Sequence, residues 1–332
     1  MDRMPAGIAD TECYGTARET SASVRRHDDG LVAEARSRLR LPDEIFRLKS
    51  LEVLYQPEER ALWTFIRHEG RPSFTPHLLT EFEQWQDLIR EGFARAPEEL
   101  RFLVLGSRTP GVFCFGGDLA LFQALIRAGD RAGLIGYGYR CVEILDRNMQ
   151  GLGLPLVTVG LAQGAALGGG FEALLSFDHL IAEESATFGL PETMFGLFPG
   201  MGAHALLTRK LGSAMADRLI LSSRTYTARE MYELGIVHEV VGRGEGIAAT
   251  RAFIARSGRR HAGLYGAKRA LRESNPVSLG ELKRIVEHWA ESALSLREQD
   301  LKLMQRLAAA QERKGGCAVT DEAPTEHRQA RA

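Results

Sequence analysis

The chain has 332 residues, of which 44% are apolar and 26% are charged, and its formal net charge at pH 7 is −1. This length and apolar content are enough for one large domain with appendages or for two ordinary domains. Because the charges balance, no overall field favours nucleic acid or an anionic membrane as a partner. The longest apolar run, residues 154–162, is too short to span a bilayer, so no membrane insertion is expected.

The cysteines and histidines lack the spacing of a disulfide framework, a zinc site or a catalytic triad. The four cysteines are scattered along the chain, at Cys13, Cys114, Cys141 and Cys317. Scattered thiols, without a secretory segment over residues 1–15, are typical of a cytoplasmic protein. Cys114 is interpreted as a small buried hydrophobe. His179, His204 and His238 are interpreted as structural or surface residues, so no metal site is expected.

Residues 1–42 differ in composition from the rest of the chain. They hold few large apolar residues and many charges, including an arginine-rich stretch at residues 36–40. We interpret them as a mobile N-terminal extension with one short helix near residues 31–41. The arginines favour a solvated arm, with a partner-docking arm as the alternative.

Short apolar runs bounded by turn residues predict the strands of an α/β domain. The predicted strands are residues 51–55, 61–66, 102–106, 154–160, 179–182 and 236–241. A polar turn joins the first two strands, which predicts a β-hairpin. Thr75 and Pro76 then suit an N-cap and a first helical position, and they open a helix whose apolar face extends to Ile89.

The last third of the chain is predicted to be mainly helical. A long amphipathic helix is expected after Pro276, because apolar residues keep a period of 3.6 from Ile285 to Leu307. This pattern divides the chain into four parts, which are the extension (1–42), an α/β core (43–245), a C-terminal helical region (246–313) and a disordered tail (314–332).

Two glycine-rich loops each follow an apolar strand and precede a helical stripe. Gly116 and Gly117 lie just before Asp118, which is a good N-cap, and residues 168–170 lie just before Glu172. Helix N-termini leave N–H groups unpaired, and glycine lets a ligand approach them closely. The loops are interpreted either as the two halves of an oxyanion hole or as tight turns that serve only helix–strand packing.

A dinucleotide site is a weaker interpretation of the same glycines. Residues 168–173 fit the pattern G-x-G-x-x-A. However, several residues separate these glycines from the predicted strand, and no acidic strand end follows at the required distance. The motif is weak when it stands alone.

Two glutamates accompany the glycine loops. Glu172 lies two residues beyond the glycines, and Glu192 follows Pro191. Each has a structural explanation, because an acid in the first turn of a helix is stabilised by the helix dipole. Glu172 is also flanked by apolar residues, and a carboxylate in an apolar cleft has a raised pKa that suits acid–base catalysis. Two such acids beside an oxyanion hole are the components for adding or removing water across an acyl C2–C3 bond.

Taken together and in this order, the motifs resemble the crotonase (enoyl-CoA hydratase/isomerase) superfamily. They are residues 113–119, 163–172, 188–192 and 198–202. The resemblance covers residues 48–313 and implies an α/β fold, namely a spiral of β-β-α turns with a helical C-terminal region that supports trimers. It places the oxyanion-hole amides on Gly117 and Gly169. It places the two catalytic acids on Glu172 and Glu192.

Within this superfamily the chain looks most like the diffusible signal factor synthases, which make cis-2-unsaturated fatty acid signals. The supporting segments are residues 110–113, 116–122, 183–184 and 198–202, with Trp289 and Asp300 in the final helix. The resemblance implies that a 3-hydroxyacyl thioester is dehydrated to the cis-2-enoyl thioester and then hydrolysed to the free acid. The substrate-binding residues are expected to be Gly116, Gly168, Phe122, Phe195, Met201 and Gly202.

The expected partners follow from this hypothesis. The substrate is an acyl-ACP (acyl carrier protein) or acyl-CoA thioester, no cofactor is needed, and the assembly is a homotrimer or a dimer of trimers. A membrane sensor kinase that regulates activity is a further expected partner, whereas nucleic acid is not. The alternatives are an ordinary enoyl-CoA hydratase/isomerase of fatty-acid oxidation and a regulatory module that binds a sensor protein or RNA. Residues 1–42 have no counterpart in the family.

Overall fold

The computed structural model describes residues 41–316 of the chain. The mobile extension predicted over residues 1–42, with its short helix, falls outside the described residues except at its last two positions. The tail predicted over residues 314–332 also falls outside them, apart from residues 314–316. Those three residues belong to the last helix.

Besides four short 3₁₀ helices, the described part of the chain contains ten strands and eleven α-helices. The strands are β1 (Leu51–Gln56), β2 (Ala61–Ile66), β3 (Phe102–Ser107), β4 (Val112–Cys114), β5 (Val157–Ala162), β6 (Ala165–Leu167), β7 (His179–Glu183), β8 (Thr187–Gly189), β9 (Thr225–Thr227) and β10 (Glu239–Val241). The helices are α1 (Pro76–Phe93), α2 (Leu119–Ala128), α3 (Arg131–Met149), α4 (Gly169–Leu175), α5 (Ala203–Leu211), α6 (Ser213–Ser222), α7 (Ala228–Glu233), α8 (Gly246–Gly258), α9 (His261–Ser274), α10 (Leu279–Leu294) and α11 (Glu298–Gly316).

The strands form two sheets, which confirms the predicted α/β class. The larger sheet has the order β1-β2-β3-β5-β7-β10, and the smaller has the order β4-β6-β8-β9. The predicted hairpin is confirmed, since β1 and β2 are antiparallel, and every other pair in the larger sheet is parallel. In the smaller sheet β4, β6 and β8 are mutually parallel and β9 is antiparallel to β8.

Both faces of the larger sheet are buried, as the continuous apolar runs predict. On β3, Phe102 packs edge-on against Phe253 of α8, with ring centroids 6.1 Å apart. Leu103 and Leu105 point to the opposite face, since side chains alternate along a strand. They belong to the core cluster that contains Trp85 of α1. Helices therefore cover the sheet on both sides.

The predicted helix starts are confirmed where a side-chain cap marks them. The Thr75 hydroxyl accepts the N–H of Leu78 at the start of α1. The Asp118 carboxylate accepts the N–H groups of Ala120 and Leu121 at the start of α2. Each cap satisfies N–H groups that the helix itself leaves unpaired.

The prediction of a single long helix after Pro276 is wrong, because the structure has two helices there. α10 ends at Leu294 and α11 begins at Glu298. The Asp300 carboxylate accepts the N–H of Arg297, the residue just before α11, and this hydrogen bond marks the start of the second helix. The apolar period continues across the break because both helices cover the same domain, α10 against α3 and α11 against α2.

Candidate active site

Three neighbouring parallel strands of the smaller sheet bring the candidate residues together. The Gly116–Gly117 loop follows β4, the segment from Gly168 to Glu172 follows β6, and Glu192 lies shortly after β8. Because the carboxyl ends of parallel strands share one edge, these segments converge. Loops at this edge are the usual ligand-binding region of α/β sheets.

The two glycine loops are in contact, and this contact requires glycine. Gly116 has a φ of +90°, and a Cβ at that position would lie 2.6 Å from the amide nitrogen of Gly169. A Cβ on Gly170 would lie 2.2 Å from the carbonyl oxygen of Cys114. Both distances are too short for non-bonded atoms, so larger residues would push the loops apart.

The amides of Gly117 and Gly169 are available to a ligand. Both glycines line the same cavity. Gly169 is the first residue of α4, so its N–H has no acceptor within the helix. Neither amide donates a hydrogen bond to another group in the described part of the chain. The pair therefore has the chemical character of the predicted oxyanion hole.

The reaction cavity, as we name the space lined by these glycines and both acids, has a volume of about 190 Å³. Most of its wall is apolar. Of the residues predicted to bind substrate, Gly168, Phe122, Phe195 and Met201 line it. Gly116 and Gly202 do not line it.

Local packing explains why these two glycines lie outside the reaction cavity. Gly116 packs against Gly169. Gly202 immediately precedes α5, where a Cβ would lie 3.1 Å from the Leu282 side chain.

Glu172 is a buried carboxylate held by two backbone amides. Only 1% of its surface is exposed. Its Oε1 accepts the N–H groups of Met201 and Ala203, each at 2.9 Å. Burial raises its pKa from the ordinary 4.5 to about 7, and the hydrogen bonds from the backbone limit that rise because they favour the charged form.

Glu192 has no comparable support. It begins a one-turn 3₁₀ helix that ends at Phe195, too short for a substantial helix dipole, so the dipole explanation expected from the sequence is wrong here. Although the residue is only half-buried, its Oε2 is fully buried and has no hydrogen-bond partner among the described residues. Burial, and secondly the charge of Glu172, raise its pKa well above the ordinary value.

The two environments divide the acids between two protonation states. Above its pKa of about 7, Glu172, the glutamate with two amide donors, carries the negative charge, and the raised pKa of Glu192 favours its protonated form. Two acids whose environments separate their pKa values are the usual arrangement for a general base beside a general acid. The arrangement can therefore remove one proton and deliver another within a single cavity.

Tyr137 is a cavity residue that sequence reasoning missed. Its hydroxyl donates to the carbonyl oxygen of Phe74 at 2.6 Å and accepts the N–H of Asp118 at 3.3 Å. These bonds hold the chain on the C-terminal side of Gly117. The tyrosine lies on α3, distant in sequence from both partners, so local patterns give no signal for it.

Replacing Tyr137 with phenylalanine tests this holding role. The variant removes the hydroxyl that pairs with the buried Phe74 carbonyl and with the half-buried Asp118 N–H, so we expect the loop at Gly117 to shift. We expect kcat to fall roughly tenfold to a hundredfold, since a misplacement of about 1 Å has such effects, while KM changes less than about twofold. Steady-state kinetics give both constants. A variant that raises KM and leaves kcat unchanged would assign Tyr137 to substrate binding instead.

The remaining candidates have structural partners. Burial raises the pKa of Cys114 to about 12, in line with a buried hydrophobe. The His179 ring stacks on Phe253 at 4.0 Å, and the Nδ1 atom of His238 accepts the N–H of Leu180. Within residues 41–316 there is no cluster of three potential metal ligands. The helices in that range include none that is long and apolar enough to cross a membrane.

Comparisons with known proteins agree on one family. The model of the enoyl-CoA hydratase/isomerase family matches residues 62–319. The chain is 31% identical to methylglutaconyl-CoA hydratase, mitochondrial, of Rattus norvegicus over 186 residues, which are 56% of this chain and 55% of that protein. It is 34% identical to enoyl-CoA hydratase domain-containing protein 2, mitochondrial, of Homo sapiens over 156 residues, or 46% of this chain and 49% of that protein. The chain thus spans about half the length of these curated relatives.

A solved structure shares the fold. DspI of Pseudomonas aeruginosa superposes with a TM-score of 0.60 at 24% sequence identity. The match covers 70% of this chain and 89% of DspI.

Proposed function

Since the chain belongs to the enoyl-CoA hydratase/isomerase family, we propose that its site dehydrates a 3-hydroxyacyl thioester and hydrolyses the product to a cis-2-unsaturated fatty acid signal. The match to this family over residues 62–319 confirms the predicted membership of the crotonase superfamily. The observation that carries the proposal is the pair of glutamates with unequal hydrogen bonding, the buried Glu172 and the half-buried Glu192, beside two free amides that line the same cavity. The synthase motifs in the sequence support the particular substrate and product.

In the dehydration step, the thioester carbonyl accepts the N–H groups of Gly117 and Gly169. The glutamate that is ionised takes the C2 proton, and negative charge develops on the carbonyl oxygen, where the two amides stabilise it. The protonated glutamate gives its proton to the C3 hydroxyl, which leaves as water while the C2–C3 double bond forms. Each correctly placed acid or base contributes roughly 10² to 10⁴ in rate.

In the hydrolysis step, the same amides stabilise the tetrahedral intermediate. A glutamate removes a proton as water attacks the thioester carbonyl carbon. The C–S bond then breaks, and the leaving thiolate takes a proton, which yields the free acid and the carrier thiol. No cofactor is needed, because glutamates and water supply every proton.

The partners belong to the same proposal. An acyl carrier protein or CoA carries the thioester, a membrane sensor kinase regulates activity, and the protein works in the cytoplasm as a homotrimer or a dimer of trimers. Light scattering on the purified chain tests the oligomer, and a dimer or monomer would contradict it.

The main rival is an ordinary enoyl-CoA hydratase/isomerase, which the names of the relatives favour. The deciding experiment supplies 3-hydroxyacyl thioesters on CoA and on acyl carrier protein, and identifies the products by mass spectrometry. We expect free cis-2-unsaturated acid, also in culture extracts of a heterologous host that expresses the chain. Reversible hydration without release of free acid would leave the rival as the function.

The pH dependence of dehydration tests the proton distribution. Because the pair must hold one carboxylate and one acid, the rate is lost when both are protonated. The pKa of Glu172, about 7, sets that limit. We expect kcat/KM to decline below about pH 7, approaching tenfold per pH unit. A pH–rate profile from about pH 5 to 9 measures it, and a rate that stays flat between pH 5 and 7 would contradict the raised pKa.

A further inference from the structure

A second, smaller cavity lies behind the reaction cavity, between α1, α3 and α4. We name it the rear cavity. Its volume is about 40 Å³, and most of its lining is apolar, including Trp85, Leu145 and Phe177. Met201 lines both cavities and forms part of the wall between them. Ala173, the neighbour of the catalytic candidate Glu172, also lines the rear cavity.

Two buried amide side chains in the lining have their orientations fixed by hydrogen bonds. The Nε2 of Gln86, a fully buried residue, donates to the carbonyl oxygen of Ile144 at 2.9 Å. The Nδ2 of Asn148, which is 5% exposed, donates to the Ser176 hydroxyl at 2.8 Å. That hydroxyl donates in turn to Ala173, so it is an acceptor toward Asn148. The nitrogen and oxygen of both amides are therefore assigned by their partners.

The oxygens of these two amides lack donors. Gln86 Oε1 and Asn148 Oδ1 are buried and have no hydrogen-bond partner among the described residues. Buried acceptors are nearly always paired with a protein donor or with ordered water. Both residues line the rear cavity, and its volume of about 40 Å³ exceeds the roughly 10 to 15 Å³ that a cavity needs to hold one water.

We propose that the rear cavity is an ordered-water site on Gln86 and Asn148, and that it supplies the water that hydrolyses the thioester. This inference rests on the proposed function. A bound acyl chain fills the apolar reaction cavity and displaces its solvent, and the water that dehydration releases forms at C3, not at the thioester carbonyl carbon. The rear cavity lies behind Met201 and keeps its own water. Methionine is unbranched and has three rotatable bonds, so its side chain can move aside and admit one water.

The water that enters hydrolyses the thioester. Its oxygen bonds to the thioester carbonyl carbon, and one of its protons passes to a glutamate. The C–S bond breaks with the electron pair on sulfur, and the thiolate is protonated. One water is consumed for each acid released.

Leu145 provides the test, because it lines the rear cavity without touching the reaction cavity. Leu145→Phe fills the space, whereas the matched control Leu145→Met keeps nearly the same volume. In Leu145→Phe we expect hydrolysis of the cis-2-enoyl thioester to slow roughly tenfold, which corresponds to a barrier about 1.4 kcal/mol higher. Dehydration should change less than twofold, so the enoyl thioester accumulates. Leu145→Met should retain both rates.

High-resolution crystal structures of the whole 332-residue chain supply the second measurement. We expect water density within hydrogen-bonding distance of Gln86 Oε1 and Asn148 Oδ1 in the wild type and in Leu145→Met, and none in Leu145→Phe. A wild-type cavity without density would overturn the site. Unchanged hydrolysis in a folded Leu145→Phe that has lost the water would overturn its role as the supply. If that variant does not fold, Ile144→Phe enters the same cavity from the adjacent position.

These outcomes separate the inference from the function on which it depends. If the wild type releases no free acid from any thioester, the proposed function fails and the supply role fails with it. The crystallographic measurement still decides whether the rear cavity holds ordered water. If free acid is produced but no water is bound there, only the inference fails.

Discussion

Glutamine in place of either Glu172 or Glu192 is expected to lower kcat/KM for dehydration by roughly 10² to 10⁴, the usual contribution of a general acid or base. Glutamine has nearly the shape of glutamate but neither accepts nor releases a proton in this pH range. At position 172 its carbonyl oxygen still accepts the N–H groups of Met201 and Ala203, so the loop remains in place. Single-turnover assays with a 3-hydroxyacyl thioester measure the loss.

Glu183 is a matched control for these variants. It is a buried glutamate, 3% exposed, whose Oε1 accepts the N–H of Gly246, and it does not line the reaction cavity. Glu183→Gln should therefore keep kcat/KM within about twofold, as expected for a residue outside the chemistry. If both Glu172→Gln and Glu192→Gln keep full kcat/KM, the two glutamates are not the acid and the base of the dehydration. If Glu172→Gln instead loses dehydration but leaves the biological output of the chain unchanged, a regulatory binding module becomes the better explanation of the chain.

Stability measurements distinguish lost chemistry from lost folding. Burial raises the pKa of Glu172 from 4.5 to about 7. Between these pH values the unfolded chain has lost the proton that the folded chain still keeps, so the free energy of unfolding of the wild type falls as pH rises. Glutamine does not ionise, so Glu172→Gln avoids this loss of stability, which amounts to roughly 3 kcal/mol above pH 7. The variant should therefore melt at a higher temperature than the wild type at about pH 8, and the difference should shrink toward pH 4.5.

The features predicted correctly from the sequence are those with local causes. The cap at Thr75 and the β1–β2 hairpin depend on neighbouring residues, so their residue types were sufficient. Local motifs also predict that the glycine loops and the two acids lie together, and Gly117, Gly169, Glu172 and Glu192 do line one cavity, whereas their catalytic roles stay a prediction. The short strand β6 was missed, since its three residues lie inside the glycine motif and show no apolar period.

The features that were missed depend on contacts between distant segments. The amides that favour the ionised form of Glu172 come from Met201 and Ala203, 29 and 31 residues away. Tyr137 reaches Phe74 across 63 residues. A motif can therefore identify the acids, but the division of labour between them depends on the tertiary structure. The sequence left that question open, and the unequal hydrogen bonding of the two carboxylates now provides a physical basis for it.

Removing the amide hydrogen of Gly169 is expected to reduce kcat for dehydration by roughly 10² to 10³, the typical effect of deleting one oxyanion-hole donor. The variant is Gly169→Pro. Proline has no N–H, and it is tolerated at the first position of a helix, which is the position of Gly169 in α4. The acids are untouched, so the pH at which the rate declines should stay near 7 while the maximum falls.

Gly169→Ala is the control that isolates the amide. Both variants add a Cβ, which would lie 2.5 Å from the Met201 sulfur and must displace that flexible side chain. Only alanine keeps the N–H. We therefore expect the alanine variant to lose much less activity than the proline variant, and stopped-flow measurement of enoyl thioester formation gives both rates. Equal losses would show that crowding at Met201, and not the missing donor, causes the effect, and Gly169 would then have no part in an oxyanion hole.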